Sequence, residues 1–187
     1  MSFNFLIRAG ARLTMLLSKN RLAAKRAYVT AMMQVIGRAL EAASQEDEVI
    51  RKEIAAFPEN FLFEMKILPN GPALALSKNA RGEFDFLGYQ PNRKPDLSLQ
   101  FKHLTHAFMV LTFQEGTARS FTNDRILVDG DVAYAVRLVR CLDRLETLIL
   151  PKLLAQRALK KYPELPLLEK VTGGARIYGR LALNFVR

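Results

Sequence analysis

Two histidines are the residues whose type and spacing come nearest to metal or acid–base chemistry. His103 and His106, the only histidines of the chain, stand three positions apart where a helix is predicted to begin, so both side chains can approach one ion. Neither a cysteine nor a third histidine is near them in the sequence, and a structural zinc ion takes four ligands. The sequence therefore predicts no metal site and no cofactor.

Other chemical motifs give equally little support for catalysis. The chain contains no Gly-x-Ser-x-Gly elbow, no P-loop and no dinucleotide fingerprint. In Val128-Asp129-Gly130-Asp131, two carboxylates around a glycine are too few for calcium. We read this segment as a corner in which Gly130 takes a positive φ and Asp131 caps the next helix. The single cysteine, Cys141, allows no internal disulfide and fits a reducing compartment such as the cytoplasm. The sequence predicts that this protein is not an enzyme.

An excess of positive over negative residues is found only at the two ends of the chain. Residues 1–43 hold seven Lys/Arg and one acid, residues 151–187 hold eight and two, and residues 44–150 hold thirteen and fifteen. A nucleic-acid domain usually carries its basic stripe on the folded core, interleaved with aromatic residues that stack on bases. The central segment has neither feature, so a nucleic-acid partner is not expected.

The basic ends have the pattern of amphipathic helices. At helical spacing, Leu6, Leu13 and Leu17 lie on one side of residues 1–20, while Arg8, Arg12 and Lys19 lie on another. This pattern suits contact with an anionic membrane surface, and it equally suits a helix that packs on the domain with its cations in water. A mitochondrial-type presequence is a further alternative, because no acid precedes Glu41. A second helical stretch, 21–43, is interpreted as packing on the domain.

The middle of the chain reads as a short helix followed by strands. Ser44, with Asp47 and Glu48 behind it, is the predicted helix start, and Pro58 ends the helix. Alternating apolar residues, divided by turns, then predict strands over 61–67, 73–77, 84–89 and 97–101. A helix over 132–150 is expected to bury Val136, Val139, Leu142, Leu145 and Ile149, with Arg137, Arg140 and Arg144 facing outward. The pattern after residue 174 fits helix or strand, and helix is favoured.

One helical segment is apolar on every side. Residues 104–113 include Phe108, Met109, Leu111 and Phe113, and Phe121 follows. Such a helix is either buried on several sides as core or lines an apolar cavity. The residues alone leave both readings open.

The order of elements after Asp96 resembles the sterol carrier protein type 2 domain family. The resemblance rests on Asp96-Leu97, a helix ending at Gly116, the strand Arg125-Ile126-Leu127-Val128 and the corner Gly130-Asp131. It implies an α+β domain over 45–150, with a mostly antiparallel five-stranded sheet covered by helices on one face. Residues 1–44 and 151–187 would then be basic helical extensions. Within the family, the segment is similar to the bacterial accessory factor of ubiquinone biosynthesis.

The family resemblance implies a lipid-binding protein without catalysis. The ligand would be a hydrophobic small molecule, such as a lipid, a fatty acyl chain or an isoprenoid quinone precursor, taken up by a cytoplasmic protein at the membrane surface. The expected pocket walls are Phe63, Met65, Leu99, Phe101, Phe108, Met109, Leu111, Phe113, Phe121, Val128 and Val136, and Arg8, Arg12 and Lys19 are the expected membrane contacts. The alternative is a structural or assembly protein whose apolar face packs a partner subunit or a second copy.

Overall fold

The computed structural model describes the backbone of residues 3–89, 93–149 and 167–186, and the side chains of 20–89, 93–149 and 171–184. Within these ranges the helices are α1 (Phe3–Glu46), α2 (Glu48–Ala55), α3 (Leu104–Leu111), α4 (Thr117–Thr122), α5 (Val132–Ile149) and α6 (Leu167–Val186). The strands are β1 (Leu62–Ile67), β2 (Ala73–Lys78), β3 (Phe84–Gly88), β4 (Leu97–Phe101) and β5 (Ile126–Gly130).

The five strands form one sheet in the order β3-β2-β1-β4-β5. The β1–β4 pair is parallel, and the other three pairs are antiparallel. Phe63 of β1 lies opposite Leu76 on one side and Leu97 on the other, so apolar side chains from neighbouring strands share a face. This architecture confirms the predicted α+β fold with a mostly antiparallel five-stranded sheet.

The second half of α1 belongs to the hydrophobic core. Val29, Met33 and Leu40 are fully buried and lie on one side of the helix. Gly37 lets α1 approach the sheet closely, since a Cβ at this position would lie 2.3 Å from the Phe86 ring. This half of the helix packs on the domain, as its pattern predicts. The domain boundary between residues 44 and 45 stays a prediction.

The start of α2 differs from the prediction. Asp47, not Ser44, is the N-cap: its Oδ1 accepts a hydrogen bond from Ile50 N at 2.9 Å. Ser44 lies inside α1, where its Oγ donates to Glu41 O at 2.6 Å and accepts from Phe84 N at 3.0 Å. The fully buried hydroxyl thus serves a β3 amide, a long-range role that the local capping pattern could not reveal.

Helix α5 is rotated relative to the predicted orientation. Val136 is 47% exposed, and the buried positions are Ala135, Leu138, Cys141, Leu142, Leu145, Thr147 and Leu148. The arginines expected to face solvent bind α2 instead: Arg137 Nη1 lies 2.9 Å from Glu53 Oε2, and Arg144 Nη2 lies 2.9 Å from Asp47 Oδ2. These ion pairs hold the arginine side of α5 against α2, which turns Val136 outward.

Helix α6 confirms the helical reading of the C-terminal end, and it packs on α1 and α5. Ile177 is 1% exposed, Arg180 Nε donates to Gln45 Oε1 at 2.6 Å, and Tyr178 Oη donates to Ile149 O at 2.8 Å. The first part of the predicted C-terminal extension, residues 151–166, lies outside the described residues. None of the helices within the described ranges is both long enough and apolar enough to cross a bilayer.

Candidate functional site

The chemistry-bearing residues singled out in the sequence do not converge on a catalytic centre. The His103 and His106 rings are 5.8 Å apart, and among the described residues no group of three metal-ligating side chains forms. Burial, followed by the charge of Arg125, lowers the pKa of His106. Burial also raises the pKa of the Cys141 thiol to about 12, so this thiol stays protonated at neutral pH.

The Gly130-Asp131 corner has the predicted conformation. Gly130 has a φ of 128°, and Asp131 Oδ1 accepts a hydrogen bond from Ala133 N at 2.7 Å. The same glycine lies against β4, because a Cβ there would be 2.5 Å from Asp96 O. The corner closes the β4–β5 pair, and the Asp131 carboxylate caps the start of α5.

The predicted pocket residues fall into three environments. The four sheet residues Phe63, Met65, Leu99 and Phe101 are at most 5% exposed and pack in the core beneath α1 and α5, and Leu111 of α3 joins them at 6%. Phe108, Met109, Phe113 and Val128 are half-buried. Phe121 and Val136 are 51% and 47% exposed. A pocket bounded by all eleven stays a prediction, and none of them lines the groove described next.

An open groove of about 400 Å³ lies at the end of the sheet where β1 turns into β2. Three segments form it: the turn Leu68–Pro72 with the end of β1, one side of α1 and the first residues of α3. The residues lining it are Leu22, Ala23, Arg26, Ile67, Leu68, Pro69, Asn70, Gly71, Pro72, His103 and Leu104. The volume is in the range typical of small-molecule sites, and most of the lining is aliphatic. No acidic residue is among these side chains.

Helices α1 and α3 are fixed to each other beside the groove. Tyr28 Oη donates a hydrogen bond to Leu111 O at 3.0 Å, and the Tyr28 and Phe108 rings meet edge to face with centroids 5.5 Å apart. Lys25 Nζ lies 5.2 Å from the centroid of the Phe108 ring. Phe108, predicted as a pocket wall, therefore anchors α3 to α1 next to the groove and carries a cation over its face.

A buried ion pair fixes the other end of α3. Glu115, 7% exposed, accepts hydrogen bonds from Arg125 and, at 2.7 Å, from Asn123 Nδ2. Arg125 Nη1 also lies 3.5 Å from Met109 Sδ, so Met109 packs on this polar cluster. The cluster joins α3, α4 and β5.

The groove residues were not predicted from the sequence. Residues 70–72 simply lie between two predicted strands, yet Arg26 Nη2 of α1 donates to Asn70 O at 2.8 Å. The two residues are 44 positions apart, so local periodicity carries no signal for their contact. A sequence clue does exist in hindsight, since Leu22 and Arg26 occupy one side of α1 at a spacing of one helical turn. The predicted membrane contacts are Arg8, Arg12 and Lys19. Their side chains lie outside the ranges whose side chains the structure describes.

Known structures provide a comparison for this fold. A UbiJ-SCP2 ubiquinone synthesis protein is 15% identical, with 64% of this chain and 96% of that chain covered and a TM-score of 0.44. A sterol carrier protein domain 2 of Helicoverpa armigera is 16% identical, with 59% and 84% covered and a TM-score of 0.40. A conserved hypothetical protein from Thermus thermophilus, possibly a sterol carrier protein, is 15% identical, with 71% and 91% covered and a TM-score of 0.43.

This chain is similar to sterol carrier protein 2 domains. Sterol carrier protein type 2 domains are also the family that the sequence from Asp96 to Asp131 resembles. No family model matches the sequence. No curated protein matches it either. At these identities and TM-scores, the likeness assigns no ligand to the groove.

Proposed function

We propose that this protein binds and carries a hydrophobic lipid or isoprenoid without catalysing a reaction on it. The observation that supports this function is the groove between α1, the β1–β2 turn and α3, which is open to solvent and lined mainly by aliphatic side chains. Transfer of an alkyl or prenyl chain from water onto such a surface is favourable by about 25 cal/mol per Å² of apolar area buried. The groove therefore offers an apolar chain a site that needs no covalent step.

The protein would work at the cytoplasmic face of a membrane. Helix α1 spans 44 residues, and the residues at 20–24, where the described side chains begin, are exposed. Arg8, Arg12 and Lys19 precede them on an amphipathic stretch, which suits an anionic leaflet. Because the motif resembles an accessory factor of ubiquinone biosynthesis, a polyprenylated quinone precursor is the ligand that we propose to test first.

Two neighbouring alanines provide a sharp test of the groove. Both are exposed, and Ala23 lines the groove whereas the adjacent Ala24 does not line it. In Ala23→Trp the indole should fill the groove and weaken the binding of a neutral fluorescent alkyl alcohol at least roughly tenfold. In Ala24→Trp binding should be unchanged. Organic extracts of the purified proteins, compared by mass spectrometry, should show a co-purifying lipid that Ala23→Trp loses. Equal binding by both variants would contradict the proposal.

A structural or assembly role is the second candidate, and exposed side chains on α6 favour it. Val171 and Tyr178, which share one side of α6, are 60% and 54% exposed. Large apolar side chains at a surface are common singly and mark an interface when they are contiguous. Native mass spectrometry separates the two functions: a lipid-free protein in a defined complex supports assembly, and a lipid-bound monomer supports carriage.

A further inference from the structure

Two cations of α1 lie in or near the groove, and the described residues include no acid that pairs with them. Arg26 lines it, and Lys25 lies next to Arg26 on α1. Among the described residues, no aspartate or glutamate forms an ion pair with either cation. Arginines elsewhere in the described structure do have such partners, for example Arg125 with Glu115 and Arg144 with Asp47.

Arg26 is held in place over the groove. Its Nη2 donates to Asn70 O at 2.8 Å, which ties the guanidinium to the β1–β2 turn across from α1. A guanidinium has five N–H donors in a planar fork, and this contact uses one side of the fork. Arg26 is exposed, so its remaining donors face solvent beside the largely aliphatic lining of the groove. That combination favours an anion attached to an apolar chain.

We infer that the groove takes an amphiphile with an anionic head group, a carboxylate or a phosphate. The inference rests on the proposed function and names the ligand class for the same site. The apolar chain lies along Leu22, Leu68 and Leu104, and the head group pairs with Arg26. Lys25 adds positive charge nearby while its side chain covers Phe108. A charge-assisted hydrogen bond from a fixed guanidinium discriminates an anion from a neutral head group of the same chain length.

Four probes with the same alkyl chain test this inference by calorimetry below their micelle concentrations. They are dodecanol, dodecanoate, dodecyl phosphate and dodecyltrimethylammonium. The full-length protein should bind at least one of the two anions roughly tenfold more tightly than dodecanol, and the cation most weakly. The ratio between dodecanoate and dodecyl phosphate then tells which head group the site prefers.

Arg26→Gln should lower the ratio of the affinity for the preferred anion to that for dodecanol to about one, because the variant loses the charge that distinguishes the two head groups. Arg26→Lys should retain part of the preference. Arg21→Gln is the matched control, because it removes the same charge from an exposed position of α1 that does not line the groove. Equal affinities for dodecanol and both anions would overturn the inference and leave lipid binding intact, as would equal effects of Arg26→Gln and Arg21→Gln. If dodecanol itself does not bind, the proposed function fails and the inference fails with it.

Discussion

Asp47 and Arg144 join two helices through a carboxylate that has two tasks. Asp47 Oδ1 caps α2 by accepting from Ile50 N at 2.9 Å, and Oδ2 accepts from Arg144 Nη2 of α5 at 2.9 Å. Both side chains are nearly buried, with 10% and 13% exposure. A single residue therefore fixes the start of α2 and its position against α5.

Asp47→Ala should destabilise the protein by about 3 kcal/mol, because it removes the cap and leaves the Arg144 charge buried without this carboxylate. Asp47→Asn should cost less, since an asparagine oxygen still caps the helix while the ion pair is lost. Urea unfolding of the three proteins measures the difference. Equal losses in the two variants would show that the cap contributes nothing.

Gly130→Ala should destabilise the protein by at least about 2 kcal/mol. A φ of 128° is unfavourable for any residue with a side chain, and the new Cβ would meet Asp96 O at 2.5 Å. Gly179→Ala is the control: it lies within α6 with no atom in the path of a Cβ, and alanine should stabilise that helix by about 0.5–1 kcal/mol. Thermal unfolding should therefore shift in opposite directions, and a parallel shift would contradict the backbone conformation of Gly130.

Glu146 should make stability fall as the pH rises from about 4.5 to 7. Burial, together with the Asp143 charge, raises the pKa of Glu146 to about 7 from 4.5, so the folded state favours the protonated acid. The favourable contribution is complete below the unfolded pKa and is lost as the pH passes through the folded pKa. At about pH 8, Glu146→Gln should be more stable than the parent protein by about 1–3 kcal/mol.

The pH dependence of urea unfolding, taken as the difference between Glu146→Gln and the parent protein, isolates this group from the other carboxylates. Asp143→Asn provides a second check. Removing the Asp143 charge should lower the pKa of Glu146 and move the loss of stability to lower pH. A difference curve that is flat from about pH 4 to 8 would contradict the raised pKa of Glu146.

Replacing Arg8, Arg12 and Lys19 together by glutamine should weaken sedimentation with anionic liposomes roughly 100-fold, since each cation near such a surface contributes about 1 kcal/mol. Raising the salt concentration should have the same effect on the parent protein. The control replaces Arg51, Lys94 and Arg119 by glutamine. All three are exposed, and their replacement removes the same amount of charge. Equal losses would assign the effect to net charge. Loss of RNA or DNA binding without loss of liposome binding would instead give the basic ends a nucleic-acid role.

Much of the fold follows from short-range patterns. Alternating apolar residues located β1 to β4, and the family resemblance supplied β5. Gly130-Asp131 specified the corner, because a positive φ and a side-chain cap depend on neighbouring residues only. Local patterns could not give the orientation of α5. Val136 and Ala135 are both compatible with an amphipathic helix, and the choice depends on ion pairs with Glu53 and Asp47 far back in the chain.

The sequence by itself determined that an apolar sheet face would be covered by helices and that positive charge would gather at the two ends. Periodicity and composition are local quantities, and they suffice for both. Only the tertiary structure decided that the second half of α1 is core, that Phe108 contacts Tyr28, and that Arg26 meets Asn70 at a groove. Those contacts join residues tens of positions apart. Their formation depends on how whole elements pack, because burying a shared apolar surface selects the arrangement and no single segment encodes its partner.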